Sequence, residues 1–306
     1  MPQKVPYELY NHYFPLYNLR DPSNNIKVGY ATIQRFENLP RQLRKQFLNH
    51  WELQYGVNNE YKHSKRWFMA ERKNCAFFHV EVKASDWSEA IDQSFGLAKA
   101  SASILSFLYQ GHFPIYDSQF VSGERIKGGY HASYGSSGEY YYRRSLEVFE
   151  YDPTYEKEIP KLTEILTEPK SEIDRKIRNA LLIFELQTAV IDERVRFVLL
   201  ATCLESLLMG KSDRDYLGWR LAEKSAFLFS TNREAIYQRV KKTYDMRSGF
   251  IHGSNESITK NDRSNLQALV VSILRRLIEL ESEGFKSIEK IDEYVRKLKF
   301  KGQDDL

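Results

Sequence analysis

The sequence predicts an α+β protein in which a mixed α/β N-terminal domain precedes an all-α helical bundle. Three observations lead to this prediction. The chain has 306 residues, which is enough for two domains. Its first half mixes alternating strand-like runs, helix signals and Gly-rich turns, whereas from about Pro160 it is nearly continuous helix. We therefore expect domains at residues 1–155 and 160–306, with the boundary between Asp152 and Ser171.

The composition is that of a folded protein with no membrane-spanning segment. Hydrophobic residues make up 42% and charged residues 28%, and 20 Tyr and 18 Phe supply packing surface that disordered chains lack. The net charge of +4 permits an anionic partner such as nucleic acid without requiring one. The N-terminus has no signal-peptide core, and the longest apolar stretch, at residues 197–209, is too short to cross a bilayer. The sequence therefore predicts a cytoplasmic protein.

The N-terminal half contains two strand patterns and two helix patterns. Residues 26–36 and 77–82 predict strands, the first from its alternation of apolar and polar side chains. Between them, Pro40 occupies the first turn of a predicted helix that ends near Leu53. Asp86 is the expected N-cap of a longer helix that reaches Tyr109. Residues 111–151 predict turns and short strands.

The C-terminal half predicts a succession of helices around one central member. Residues 197–209 are apolar on nearly every side, which is typical of a helix buried in the middle of a bundle, and Glu205 is their only acidic residue. A long amphipathic helix is expected to begin at Asn261 or Asp262. The other helices are predicted at about residues 172–190, 193–209 (which contains the apolar stretch), 215–229, 233–253 and 288–300.

The helix predicted at residues 233–253 places a cation on its apolar stripe. Arg247 falls on this stripe, whose other members are Ile236, Val240, Thr243 and Ile251. A guanidinium that faces a packed surface needs an anionic partner, because an unpaired buried charge costs on the order of several kcal/mol. Glu205 of the central helix is the expected partner, and we predict an ion pair between the two.

Ser248 and His252 lie on a neighbouring face of the same helix, because they are four residues apart. Arg247 and His252 are five residues apart, so an ideal helix directs them about 140° away from each other. They converge on one substrate if the helix end distorts, which Gly249 and Gly253 allow, or if a second subunit supplies the other half.

This motif resembles that of a known family. The run from Arg247 to His252, Arg-Ser-Gly-Phe-Ile-His, fits the R-x4-6-H motif of HEPN domains, including a small polar residue after the Arg. The preceding Leu-Glu-Ser-Leu-Leu at residues 204–208, together with the helix order, is similar to the Apea-like branch of that superfamily. The resemblance covers roughly residues 171–283 and does not extend to the first half.

The resemblance implies a metal-independent endoribonuclease that needs no cofactor and forms a homodimer through its helical domain. In such an enzyme His252 would act as general acid or base, Arg247 would hold the phosphate, Ser248 would bind the phosphate or orient His252, and Glu205 would pair with Arg247. Two motifs would meet in one cleft across the dimer. The resemblance also implies an anti-phage abortive-infection or toxin-like role, with the N-terminal domain sensing a trigger ligand or a phage protein.

Several basic residues between the two key helices are candidates for binding RNA. We expect a path for the RNA backbone past Tyr244 and four cations, with a solvated charged face as the alternative explanation for the cations; the four are Lys211, Arg214, Arg220 and Lys224. A metal-dependent nuclease is less attractive, because no paired Asp-x-Asp or His-x-x-x-His stands at ligand spacing.

Two other interpretations of the motif remain open. Cations near a helix end, followed by Gly, also occur simply because they complement the carboxyl-terminal dipole and allow a left-handed cap. A HEPN-like dimer that binds RNA or a partner protein without cutting is the alternative function.

Overall fold

The computed structural model describes residues 8–20, 25–45, 75–111, 113, 115, 119–122, 131–133, 149–210, 216–253 and 257–300. The fold is α+β, with an antiparallel sheet at the N-terminus and a mostly helical C-terminal region. The chain divides into two compact units, Met1–Thr167 and Glu168–Leu306. The helix Ile159–Thr167, which the sequence analysis placed in the helical domain, belongs to the first unit.

The first unit is built on a sheet whose long central strand carries no clear sequence signal. This strand, β1 (Glu8–Arg20), pairs with a neighbour on each side, and the spatial order is β2-β3-β4-β1-β5-β6 with β7 parallel to β1. Pro15 lies outside the part of β1 that pairs with β5, which runs from Asn11 to Tyr13. The other strands are β2 (Ile26–Val28), β3 (Ala31–Arg35), β4 (Cys75–Ala84), β5 (Gln119–Ser122), β6 (His131–Ser133) and β7 (Phe149–Glu150).

The single strand predicted at residues 26–36 is instead a hairpin. Strands β2 and β3 are joined by the two-residue turn Gly29-Tyr30, and Gly29 has a φ of +59°, which glycine adopts at little cost. The turn packs tightly, because a Cβ on Gly29 would lie 2.7 Å from the Leu166 side chain. Its backbone is held by side chains: the Gly29 N–H donates to Thr163 Oγ1 and the Tyr30 N–H donates to Ser101 Oγ, both at 2.9 Å.

Two of the helices in the described part of the first unit pack against the sheet. Helix α1 (Trp87–Tyr109) begins at Asp86, whose carboxylate accepts from two backbone N–H groups, as its predicted N-cap role requires. It packs on β4 and β1, and its Phe95 ring lies 6.3 Å from that of Phe14. Helix α2 is Ile159–Thr167. Of the helix predicted at residues 40–53, residues 41–45 are helical and the rest lies outside the described residues.

The second unit is helical, and two of its helices begin at capping boxes. Ser171 and Thr259 each form a capping box with the acid three residues later, so the long helix starts slightly before the predicted Asn261 or Asp262. None of the helices in the described ranges is long and apolar enough to cross a membrane. The helices are α3 (Glu172–Ala189), α4 (Glu193–Leu208), α5 (Leu217–Phe227), α6 (Arg233–Ile251), α7 (Lys260–Ser282) and α8 (Ile288–Phe300).

Helix α4 is the centre of this unit, as its apolar sequence predicted. It contacts α3, α5, α6 and α7 and buries seven side chains, among them Phe197 and Leu204. Its carboxyl end is closed by two lysines from neighbouring helices. Lys176 Nζ donates to the carbonyls of residues 206 and 209, at 3.1 and 2.6 Å, and Lys224 Nζ donates to that of residue 208 at 3.1 Å. These bonds satisfy carbonyls that a helix end leaves without partners.

Candidate functional site

Helix α6 carries the sequence motif, and little of it is buried. Only Val240 and Thr243 are buried among its residues, and it packs mainly on α5, with fewer contacts to α4. The prediction that Ile251 continues the buried stripe is wrong, since its side chain is half exposed. Helical spacing places Ile251 on the stripe, but the last turn of α6 lies at the surface of its unit. The motif therefore stands where a large ligand can reach it.

The predicted ion pair between Arg247 and Glu205 is present. Arg247 Nη2 lies 3.4 Å from Glu205 Oε2, and the two side chains are 26% and 23% exposed. Burial raises the pKa of the Glu205 carboxyl above its usual value, and the nearby Arg247 charge offsets only part of this effect. The pair therefore joins α4 to α6 at a position that is only partly dehydrated.

The pair leaves hydrogen-bonding capacity unused. Arg247 Nε and Glu205 Oε1 are both buried, and neither has a hydrogen-bond partner among the described residues. Buried polar atoms usually find partners, and a guanidinium offers five N–H donors of which this long contact uses one. Because the Arg247 side chain is 26% exposed, an anion can approach it while its contact with Glu205 persists.

His252 stands at the end of α6, where the chain leaves the helix. Its backbone φ and ψ are −88° and 8°, and its N–H donates to the Ser248 carbonyl at 3.0 Å. Gly253 follows with a φ of +80°, a left-handed conformation that suits glycine. The helix runs through Gly249 to Ile251, so the distortion considered from the sequence does not occur at Gly249. The His252 side chain is exposed, and Ser248 is half-buried.

The predicted RNA path is only partly supported by where its residues lie. Lys211 and Arg214 lie outside the described residues, and Arg220 is half-buried on α5. The prediction that Lys224 lines the RNA path is wrong, because its side chain is buried. Its ammonium pairs with Asp292 at 2.7 Å and also donates to a carbonyl at the end of α4. Because both its charge and its donors serve the fold, Lys224 cannot line an exposed path. Tyr244, the remaining candidate, is half-buried.

Sequence reasoning missed a pocket at the start of α5. Tyr216 and Trp219 are 82% and 46% exposed there, and with Gly218, Lys241, Tyr244 and Asp245 they line a cavity of about 380 Å³. We call this cavity the aromatic pocket. The run Tyr-Leu-Gly-Trp at residues 216–219 was only a weak signal, because aromatic residues close to a glycine fit a packed core as well as an exposed site.

Exposed apolar side chains lie at the junction of α4 and α6. The Arg194 guanidinium lies 5.8 Å from the centroid of the Phe250 ring, which brings the start of α4 to the end of α6. The residues next to these two in sequence, Val195 and Ile251, are exposed, and so is Ile191. Exposed apolar side chains of this kind provide surface for contact with another protein.

No group of three or more metal-ligating side chains occurs in the part of the chain that the structure describes. Comparisons of the chain with protein-family models, with characterised proteins and with solved structures found no match. What can be said of function therefore depends on the geometry of the site and on the resemblance of its motif.

Proposed function

We propose that the C-terminal unit is a HEPN-type, metal-independent endoribonuclease. The observation that carries the proposal is the state of Arg247: it is held in place by Glu205, yet it remains partly exposed with donors to spare. An exposed His252 follows at the end of the same helix. A fixed cation and an accessible imidazole are what phosphodiester cleavage without a metal requires.

The proposed reaction is attack of an RNA 2′-hydroxyl on the adjacent phosphorus. The 2′-oxygen forms the new P–O bond as it loses its proton, the bond to the 5′-oxygen breaks, and that oxygen takes up a proton. His252 transfers one of these protons, because imidazole exchanges protons near neutral pH. Arg247 neutralises the charge that develops on the phosphoryl oxygens, and Ser248 hydrogen-bonds the phosphate. The products are a 2′,3′-cyclic phosphate and a 5′-hydroxyl.

The geometry of α6 favours a site shared by two chains. Arg247 and His252 diverge by about 140° on a helix with no break between them, so one chain does not readily direct both at the same phosphate. The exposed Val195 and Ile251 next to the motif provide apolar surface for a second copy. In the proposed homodimer, each cleft takes Arg247 from one chain and His252 from the other.

Cleavage of a mixed RNA pool in EDTA tests the reaction directly. The purified wild-type chain should produce cyclic-phosphate ends, and the Arg247→Ala and His252→Ala variants should produce none. Arg239→Ala is the matched control, because it removes an exposed cation from the same helix outside the motif. Equal cleavage by wild type and His252→Ala, or cleavage that EDTA abolishes, would contradict the proposal.

Mixing the two inactive variants tests the shared cleft. A heterodimer of Arg247→Ala and His252→Ala chains contains one intact cleft if the residues come from different chains, and none if they come from the same chain. Under exchange conditions half of the dimers are heterodimers and each has one of two clefts intact, so an equimolar mixture should recover roughly a quarter of wild-type activity. Ile251→Asp should give monomers that do not cleave, as judged by light scattering, whereas Phe300→Asp, at a similarly exposed apolar position on α8, should remain dimeric.

The defence role of the protein rests on the resemblance of the motif and is part of the same proposal. Expression of the wild-type chain in a bacterial host should slow growth, alone or after phage infection, because cellular RNA would be cut. Expression of His252→Ala at the same level should not. Equal growth with both chains, with or without phage, would argue against an RNA-cutting effector.

A dimer that binds RNA or protein without cutting it is the second candidate. The observation in its favour is the existing Arg247–Glu205 pair, since an arginine that already has a carboxylate partner can be purely structural. In that case Arg247→Ala would weaken the fold or the dimer, and no condition would yield cyclic-phosphate ends.

A further inference from the structure

We propose that the aromatic pocket binds a guanine base of single-stranded RNA beside the bond that is cut. This inference rests on the proposed ribonuclease function for its place in the reaction. The binding itself can be measured without any cleavage. The argument begins with the exposure of the aromatic rings that line the pocket.

The aromatic rings of the pocket are exposed in a way that packing does not explain. Tyr216 is 82% exposed, and its backbone adopts a left-handed conformation with φ +55° and ψ +36°. The other described non-glycine residues with positive φ are two Asn and one Gln, and Asn tolerates this conformation far better than an aromatic residue does. A left-handed aromatic residue that is largely exposed is unusual, and strained residues of this kind are often found at ligand sites.

The wall of the pocket depends on close contact between α5 and α6. A Cβ on Gly218 would lie 2.5 Å from Cδ1 of Tyr244, so the tyrosine ring lies directly against the backbone at the start of α5. Trp219 is positioned by Lys299, whose Nζ lies 5.1 Å from the ring centroid and pairs with Glu223. Each indole has two faces, and a large part of this one remains open to solvent. Flat aromatic surfaces of this kind stack on nucleobases regardless of sequence.

The charged rim of the pocket selects among the bases. Asp245 and Lys241 are both exposed at the rim, on the helix that carries the motif. A carboxylate has two acceptor oxygens and no donor, so it matches the N1–H and N2–H pair that only guanine presents on one edge. Adenine, cytosine and uracil each place an acceptor beside their donor, which repels the carboxylate. Lys241 contributes a positive charge that attracts the neighbouring phosphate.

The pocket lies close to the motif along α6. Tyr244 is one turn before Ser248, so the two are about 6 Å apart along the helix axis and share a face. Arg247 lies within the same turn. A base held against Tyr244 therefore places a phosphate of the same or the next nucleotide at Arg247 and Ser248. This arrangement predicts cleavage within one nucleotide of a guanine.

Binding of labelled five-nucleotide RNAs tests the proposal. The full-length His252→Ala chain is titrated with U-U-G-U-U, U-U-A-U-U and U-U-U-U-U by fluorescence anisotropy. The guanine oligonucleotide should bind at least tenfold more tightly than the other two. Asp245→Asn should remove this preference while leaving the adenine oligonucleotide unaffected, and Trp219→Ala should weaken binding of all three at least fivefold.

Matched controls separate the pocket from the rest of the surface. Trp87→Ala removes a tryptophan of nearly equal exposure, 47%, from the first unit, and Asp92→Asn removes an exposed carboxylate there. Neither should change any of the three affinities. Equal affinities for the three oligonucleotides, or a Trp219→Ala variant that binds as tightly as its parent, would overturn the proposal. Absence of RNA binding altogether would also overturn it and would favour a protein partner at this surface.

These titrations are independent of the outcome for catalysis. Guanine-selective binding that Asp245→Asn removes, in a chain whose wild type never cuts RNA, would keep the pocket and reject the ribonuclease. Metal-independent cleavage with no guanine at the cut sites would keep the ribonuclease and reject the pocket.

Discussion

Among the described residues, helix α4 makes two ion pairs with arginines of other helices. The two pairs differ in length and in the exposure of the arginine. Near its start, Arg263 Nε lies 2.9 Å from Glu193 Oε2, and Arg263 Nη1 donates to Gln267 at 2.8 Å. The Arg263 side chain is 10% exposed. Near its end, the pair of Glu205 and Arg247 is longer, at 3.4 Å, and more exposed.

The difference separates an arginine with two short contacts in a nearly dehydrated position from an arginine with one long contact and more exposure. Arg263 has short, well-directed bonds to two partners and is nearly dehydrated, so it contributes to the packing of α4 on α7. Arg247 has one long contact and a buried Nε with no partner among the described residues. Under the proposed function, Arg263 serves the fold and Arg247 serves the ligand, and variants at both positions should separate these two roles.

The largest expected effect is the loss of RNA cleavage when the longer pair, Arg247 with Glu205, is broken. Arg247→Ala should lower RNA cleavage at least 100-fold, because it removes the charge that stabilises the phosphorane, whereas the free energy of unfolding should fall by about 1 kcal/mol or less. Cleavage assays and urea unfolding of the same preparations measure both. A large loss of stability without a specific loss of cleavage would make Arg247 a structural residue like Arg263.

The next largest effect is the loss of stability when the shorter pair, Arg263 with Glu193, is broken. Arg263→Ala should lower the free energy of unfolding by about 2–3 kcal/mol, because it leaves Glu193 and Gln267 without their shared partner in a largely buried position. Cleavage per folded molecule should stay near that of the wild type. Urea unfolding followed by circular dichroism measures the first quantity, and a change below about 0.5 kcal/mol would erase the contrast between the pairs.

A smaller effect is expected on the pH dependence of stability. Burial raises the pKa of Glu205, so the folded state holds the proton of this carboxyl more tightly than the unfolded chain does. Its contribution to stability is therefore fully present below about pH 4 and is lost as pH rises through the raised pKa. Glu205→Gln cannot titrate. The free energy of unfolding of Glu205→Gln minus that of the wild type should increase from about pH 4 to pH 7, and a difference that decreases would mean that Arg247 dominates the pKa.

The smallest effect is expected at the strained tyrosine. Tyr216→Gly should change the free energy of unfolding by less than about 1 kcal/mol, because relief of the left-handed backbone offsets the greater flexibility of glycine. Binding of the guanine oligonucleotide should still weaken severalfold. Thermal unfolding and anisotropy titrations on one preparation compare the two. A strongly destabilised variant would show that Tyr216 supports the fold instead of a ligand.

The sequence predicted the parts of the fold that depend on local periodicity and capping. The central position of α4 followed from its uniformly apolar surface, and Asp86 caps the helix that the sequence assigned to it. Strand β1 was missed because its pairing on both sides depends on distant segments, and because Pro15 speaks against a strand in any local argument.

The sequence predicted the ion pair of the candidate site, but it did not predict the burial of Lys224 or the aromatic pocket. The pair of Arg247 and Glu205 could be predicted because both are single charges on apolar helix faces. Lys224 could not be distinguished from a surface cation, since its burial depends on Asp292 and on the end of α4. The aromatic pocket was missed because exposed aromatic residues look like core residues in a sequence, and their exposure appears only when α5 and α6 are in place.

The two lysines that close the end of α4 have a consequence for the electric field near the motif. The carboxyl end of any helix is a negative pole equivalent to about half an elementary charge, and Glu205 lies within one turn of it. Without these lysines, the negative end of α4 would repel a polyanion that approaches Arg247 on α6. The ammonium groups of Lys176 and Lys224 donate to its carbonyls and offset part of this negative charge. Lys176 and Lys224 therefore weaken the repulsion that the end of α4 would exert on an anion near Arg247.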